Sequence, residues 1–229
     1  LAIRTLISEG INVNVTLLFA RSAYEEVAQA YIEGLEARLA RGGDLSHVAS
    51  VASFFVSRID TAVDAELDAK LKDATGAEKP ALEALLGKVA IANAKLAYQS
   101  YKKIFAGPRW AALAAKGAQV QRVLWASTGT KNPKYRDVLY VEELIGRDTV
   151  NTMPPETLTA FRGHGRPRAS LEEDVAGATT ILAGLEKAGI SLHDVTDALL
   201  ADGLKKFVEP FTKLLAAVER RSHEASGRA

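Results

Sequence analysis

Asn14 and Thr16 stand two residues apart in Ile11-Asn12-Val13-Asn14-Val15-Thr16-Leu17, a segment whose polar and apolar residues alternate. A strand through it would carry both polar groups on one face and Ile11, Val13, Val15 and Leu17 on the other. Ser53 and Ser127 close two further apolar segments, and each is followed by polar loop residues. Arg58 lies just past the first of these segments, where its planar guanidinium can take a phosphate by two charge-assisted hydrogen bonds. Its alternative is a surface salt bridge with Asp60. Lys131, in Gly129-Thr130-Lys131-Asn132, is a second candidate for the same anion, and the loop lacks Walker spacing, which argues against a nucleotide site. Each residue also has a purely structural use: an interior Asn and Thr can satisfy one another, and strand-end serines cap loops.

Other polar clusters are less specific. Arg162-Gly-His-Gly-Arg-Pro-Arg168 is basic and glycine-rich, so it either attracts phosphate or is a solvated loop. His47, His164, His193 and His223 are scattered without metal-ligand spacing, and no metal is expected. The chain has no cysteine, which removes disulfides and thiolate chemistry and favours a cytoplasmic protein over a secreted disulfide scaffold. Its 29 Lys and Arg against 28 Asp and Glu point to neither nucleic acid nor a membrane surface as partner. The longest apolar runs, such as Val51 to Val56, fall far short of the ~20 residues of a spanning helix. With 229 residues, 48% of them hydrophobic, the chain can bury a real core and reads as soluble.

The elements that must position these groups alternate in type. A helical pattern opens at Leu1, Ala2, Ile3, Leu6 and Ile7, and the absence of Met at the start reads as the middle of something longer. Ile11 to Phe19 is the first strand. A capping-box pattern, Ser22-Ala-Tyr-Glu25, then predicts a helix up to Gly42-Gly43. Val48 to Val56 is a nearly continuous apolar strand, as expected when both faces are covered in a parallel sheet. A long helical region from about Thr61 to Lys116 is broken near Gly76, Pro80, Gly87 and Gly107-Pro108. Gln119 to Ser127 is a third strand, and a short fourth lies around Asp148 to Thr152, with Pro154-Pro155 opening a helix. Ser170-Leu-Glu-Glu173 is a second capping box. Gly189 ends that helix, Leu192 to Arg221 is helical with a kink expected at Pro210, and Ser222 to Ala229 reads as frayed.

Strands separated by helices predict an α/β protein with a parallel sheet, and polar residues facing inward at strand ends favour a (β/α)₈ TIM barrel. Such a barrel needs eight strands and only four are visible, so half of it is missing. The expected organisation is one barrel domain over 1–229, with C-terminal helices over 170–221.

Three signatures give the chain a family resemblance. Gly10-Ile-Asn-Val-Asn-Val-Thr-Leu-Leu-Phe19 resembles the fifth-strand signature of transaldolases, Val51-Ala-Ser-Phe-Phe-Val-Ser-Arg58 the sixth, and Trp125-Ala-Ser-Thr-Gly-Thr-Lys-Asn-Pro133 the loop after the seventh. The tail around Val195-Thr-Asp-Ala-Leu-Leu-Ala-Asp-Gly203 is similar as well. The resemblance implies a cofactor-free Schiff-base enzyme of the pentose phosphate pathway. Such an enzyme moves a dihydroxyacetone unit from sedoheptulose 7-phosphate or fructose 6-phosphate to an aldose phosphate such as glyceraldehyde 3-phosphate. It further implies that Asn14 contacts the dihydroxyacetone unit and that Thr16 holds a water that shuttles protons. Ser53 and Phe55 would line the site, and Arg58 with Ser127 would grip the phosphate.

Two departures accompany the resemblance. Many members carry an arginine where this chain has Gly129, a place that Lys131 would fill. The family's Schiff-base lysine and catalytic carboxylates lie upstream of the segment matching Leu1, so the lysine is expected outside this chain. The implied partners are sugar phosphates and the upstream half of the barrel, with a homodimer allowed. Two alternatives stay open: an aldolase that cleaves fructose 6-phosphate without an acceptor, and a non-catalytic half-barrel.

Overall fold

The computed structural model describes residues 1–226. Helix α1 (Ala2–Glu9) ends on Gly10, whose φ of 86° lets the chain reverse while the last carbonyls of the helix take up backbone N–H groups. Ile11 therefore belongs to this reversal rather than to the strand, and it is left half exposed. Strand β1 (Val13–Leu18) follows, then helix α2 (Arg21–Ala40), against which α1 packs closely. A Cβ on Gly34 would lie 2.7 Å from the Cβ of Ile7, so only glycine permits that approach.

Strand β2 (Ser50–Phe55) leads directly into helix α3 (Ser57–Leu71). The long helical region predicted next is four helices in all, with α4 (Glu78–Glu83), α5 (Val89–Phe105) and α6 (Pro108–Ala114) separated at Gly76, Gly87 and Gly107. Strand β3 (Arg122–Ala126), helix α7 (Leu139–Glu143), strand β4 (Thr149–Thr152) and helix α8 (Pro155–His164) complete the alternating part. Helix α9 (Val175–Lys187) and the long α10 (Leu192–Ser226) form the tail. The helix runs through Pro210, and the expectation of fraying from Ser222 onward is not met as far as Ser226; residues 227–229 lie outside the described residues.

Both capping boxes fail. Helix α2 starts from Ala20 with no side-chain cap, and Ser22 is already inside it. Ser170 sits in a short 3₁₀ turn, where its hydroxyl donates to the Glu142 carbonyl and accepts from the Ile145 N–H. Helix α9 is capped instead by Asp174, whose carboxylate accepts from the Gly177 N–H at 2.9 Å. Tertiary packing thus supplied another use for Ser170.

The four strands form one parallel sheet in the order β1-β2-β3-β4, with Val15, Ala52, Val123 and Thr149 in register. Side chains on that row, together with Phe54 and Trp125, face the helix layer. Ala52, Phe54 and Val123 are fully buried there, and the Phe54 and Trp125 rings meet edge to face at 6.1 Å. Burying each such large side chain contributes about 1.5–3 kcal/mol. The opposite face carries Asn14, Ser53, Phe55, Leu124 and Thr152, and strands β1 and β4 leave its two sides open.

Candidate functional site

The expected groups converge at the carboxyl ends of β2 and β3, on the face away from the helices. The Val56 N–H donates to the Ala126 carbonyl and the Ser57 N–H to the Ser127 carbonyl, both at 3.0 Å. These bonds carry the sheet ladder on into the first turn of α3 and fix that turn beside the end of β3. The Ser57 and Ser127 hydroxyls meet at 3.0 Å. Ser127 holds a φ of 56°, a left-handed conformation that a non-glycine residue adopts at a cost, and such strain concentrates at sites that depend on a fixed loop shape.

Arg58 is the second residue of α3. Its guanidinium carbon lies 5.1 Å from the centre of the Phe55 ring, and that ring is backed by Phe19 at 5.2 Å. The cation is thereby held over an aromatic surface. Its Nη1 is buried with no hydrogen-bond partner among the described residues. A salt bridge with Asp60 does not form: the Asp60 carboxylate faces the other way, accepting from the Ala90 N–H at 2.7 Å and the Tyr140 hydroxyl at 2.9 Å. A guanidinium with an unpaired N–H, next in sequence to a serine pair and at the positive end of a helix, is a site suited to an anion.

Asn14 and Ser53 come together across β1 and β2, the serine hydroxyl donating to the Asn14 side-chain oxygen at 2.7 Å. That bond orients the amide so that its NH₂ points away from Ser53, while the side chain stays exposed. Thr16 lies exposed one step along β1, and its hydroxyl has no partner among the described residues. The predicted alternation holds through Thr16 and then breaks. The β1–β2 register shifts between Val15 and Leu18, and Leu17 takes a φ of 60° and turns inward against Gly203 of α10. A bulge at the rim of a site re-aims the neighbouring side chains.

The remaining candidates sit elsewhere. Lys131 is exposed and lines a cleft of about 210 Å³ together with Asp64, Asp68, Tyr135 and Tyr140, behind α3. Two side chains of the basic segment Arg162–Arg168 are tied to acids: Arg168 pairs with Glu143 and Glu173, and His164 with Asp137 at 2.8 Å. Among the described residues no three His, Asp or Glu side chains are grouped as a metal site would require. No helix among them is long and apolar enough to cross a membrane.

One group with a bearing on the site was not anticipated. Asp60 and Asp64 lie one turn apart on the inner face of α3 and accept the Ala90 and Gly87 N–H groups, closing the start of α5 from another helix. The Tyr135 and Tyr140 hydroxyls complete them. Burial pushes the Asp60 carboxyl up to about 7, against the pull of its backbone hydrogen bond, and Asp64 moves in the same direction for the same cause. The i, i+4 spacing of two acids in a helix that follows a buried strand was the available signal, but exposed and buried acids look alike in a sequence.

A family model described as Transaldolase/Fructose-6-phosphate aldolase matches residues 1–218. Transaldolase 2 of Nostoc sp. is 54% identical over 224 residues, which are 95% of this chain and 58% of the relative. Transaldolase of Trichodesmium erythraeum is 52% identical over 223 residues, 96% of this chain and 59% of the relative. Transaldolase of Thiobacillus denitrificans is 49% identical over 217 residues, 95% of this chain and 58% of the relative. The chain thus spans about 58% of the length of the curated relatives it matches.

Proposed function

The chain belongs to the transaldolase/fructose-6-phosphate aldolase family, and from that premise we propose that it supplies the phosphate-binding half of a transaldolase barrel. The reaction moves a dihydroxyacetone unit from sedoheptulose 7-phosphate or fructose 6-phosphate to glyceraldehyde 3-phosphate through a lysine Schiff base, without a cofactor. The observation that carries this reading is Arg58, with its unpaired Nη1 over Phe55 and its neighbouring Ser57–Ser127 pair. Arg58 and Ser127 grip the phosphate and Phe55 forms the wall below it. Ser53 fixes the Asn14 amide, which donates to the bound three-carbon unit. Thr16, at the bulge, holds the water that passes protons. Lys131, expected as the second cation, lies behind α3 in a cleft lined by three carboxylates, Asp60, Asp64 and Asp68, apart from the Arg58 grip.

The Schiff-base lysine belongs to the rest of the barrel. None of the four strands carries a lysine. The one lysine buried among the described residues, Lys95, is on α5 and donates to the Glu173 carbonyl at 2.8 Å. Four parallel strands are half of the eight that a closed barrel requires, and they correspond to strands five to eight. The reaction is placed in the cytoplasm, in keeping with a cysteine-free chain.

The test is reduction with borohydride in the presence of fructose 6-phosphate. The chain alone should take up no dihydroxyacetone unit, and with the remainder of the barrel supplied the label should appear on that added part. A label on any lysine of this chain in isolation would overturn the assignment. The family description also names fructose-6-phosphate aldolase, so the completed enzyme should be assayed without an acceptor. Free dihydroxyacetone would then identify a lyase, and none would identify the transferase.

A further inference from the structure

The segment that supplies Ser127 begins and ends on the same helix. At its start the Ser57 N–H donates to the Ser127 carbonyl and the two serine hydroxyls meet, all in the first turn of α3. Beyond it the chain returns to α3 twice, the Tyr135 hydroxyl donating to Asp64 at 2.7 Å and the Tyr140 hydroxyl to Asp60 at 2.9 Å. Residues 127–138 form neither helix nor strand. They are shaped from within by Thr130, whose hydroxyl donates to the carbonyls of Arg136 at 3.0 Å and Asp137 at 3.2 Å, and by Asn132, which accepts from the Lys134 N–H at 3.0 Å. Such internal bonds fix the outline of the strap without fixing its place on the body.

Tyr135 fixes that place. Of residues 133–137 it alone is not exposed, and its ring lies on Gly87, where an added Cβ would come within 2.7 Å of the ring and where φ is 68°. Asp64 is 6% exposed, and each of its oxygens is engaged, one by the Gly87 N–H at 3.0 Å and the other by Tyr135. A carboxylate so enclosed has little water to replace a lost donor, which makes the Tyr135 bond specific. Ser127 depends on such anchors, because a left-handed φ of 56° in a non-glycine residue persists only where its surroundings over-determine it. At the near end the Thr128 hydroxyl donates to Asn151 of β4 at 2.7 Å, and Gly129 packs against Pro154 ahead of α8. At the far end Tyr135 is the residue of the strap itself that returns it to the helix bearing Arg58.

We propose that Tyr135 and Asp64 are the positioning pair of the anion grip: their hydrogen bond fastens the segment after β3 to α3 and so keeps Ser127 opposite Ser57, beside the anion that Arg58 takes. This rests on the reading of Arg58 and Ser127 as a phosphate grip. Neither member of the pair touches the substrate, and both act through Ser127. The pair therefore favours phosphorylated sugars over their unphosphorylated counterparts.

The experiment assays the completed enzyme with glyceraldehyde 3-phosphate and with glyceraldehyde as acceptors, at saturating fructose 6-phosphate. Tyr135→Phe removes the hydroxyl and keeps the ring on Gly87. It should raise KM for glyceraldehyde 3-phosphate by about fivefold or more, a coupling of the size usual between linked sites, and leave KM for glyceraldehyde and both kcat values within about twofold. Asp64→Asn keeps an acceptor for the Gly87 N–H and presents an amide that can donate to the tyrosine oxygen, so it should behave as the parent. Equal losses with both acceptors, or none, refute the pair while Arg58→Ala still raises KM for the phosphorylated acceptor alone. If Arg58→Ala makes no such distinction, the phosphate grip and the pair fall together. A second measurement needs no variant. The Tyr135 N–H donates to the Asn132 carbonyl in the closed strap, and inorganic phosphate at ten times its dissociation constant should slow exchange of that amide by about tenfold, because binding requires closure. Slowing of the Ser57 amide with no change at Tyr135 refutes the pair, and slowing of neither removes the phosphate grip as well.

Discussion

On the helix-covered face of the sheet, Ala52, Phe54 and Val123 are wholly enclosed and Trp125 nearly so, whereas on the other face Asn14, Thr16, Arg122 and Thr152 lie exposed. The same four strands build both faces, so the difference is not one of local propensity. Side chains alternate along a strand, and one set meets α2, α3 and α5 while the other meets, across the centre, only its own neighbours Ser53, Phe55 and Leu124. The covered face holds the molecule together. The open one displays polar groups at fixed spacing. Structural and chemical residues therefore separate by the parity of their position.

That separation can be broken in stages. Trp125→Ala, on the covered face, should cost about 3–5 kcal/mol and be read directly in urea unfolding. A loss under 1 kcal/mol would mean that the helix layer is not what stabilises the sheet. Next in size is the pH dependence carried by Asp60, beneath the same layer. Its carboxyl is raised in the folded chain to about 7 from an ordinary 3.8, so its contribution to stability is fully present below pH 4 and is lost as pH rises through 7. The loss is at most about 4 kcal/mol. Asp60→Asn keeps an acceptor for the Ala90 N–H and should flatten the fall in melting temperature between pH 4 and 7; an unchanged slope would remove Asp60 as its source.

Substitutions on the open face should act on chemistry instead. On the proposed function, Thr16→Ala should lower kcat by at least about 10²-fold with little change in KM, the range typical of lost proton transfer. An unaltered kcat would return Thr16 to an ordinary exposed hydroxyl. Arg58→Ala should raise KM for phosphorylated sugars by about tenfold and spare unphosphorylated acceptors. Equal losses for both substrate types would show that its place over Phe55 is structural. Smallest of all, Arg122→Ala, exposed at the amino end of β3, should shift stability by less than about 0.5 kcal/mol.

Much of this was legible in the chain itself. Alternation in Val13 to Thr16 and the apolar run through Val51 to Phe55 determine the first two strands, because a period of two and a doubly covered strand leave direct marks on residue type. Pro154-Pro155 likewise opens a helix where expected, since proline at a first turn forfeits no hydrogen bond, and the break expected at Gly107-Pro108 separates α5 from α6. That Asn14 and Ser53 share one face of the sheet was readable from their parity, and that Arg58 and Ser127 follow strands was readable from the apolar runs before them. What only the tertiary structure decided are the features set by neighbours distant in sequence. The start of α9 moved away from Ser170, whose hydroxyl found the Glu142 carbonyl 28 residues away. The bulge that turns Leu17 inward depends on Gly203, and the burial of Asp60 on α5 and Tyr140. A sequence records the periodicity of a chain along itself, but a hydrogen bond or a contact between remote segments exists only once packing has brought them together.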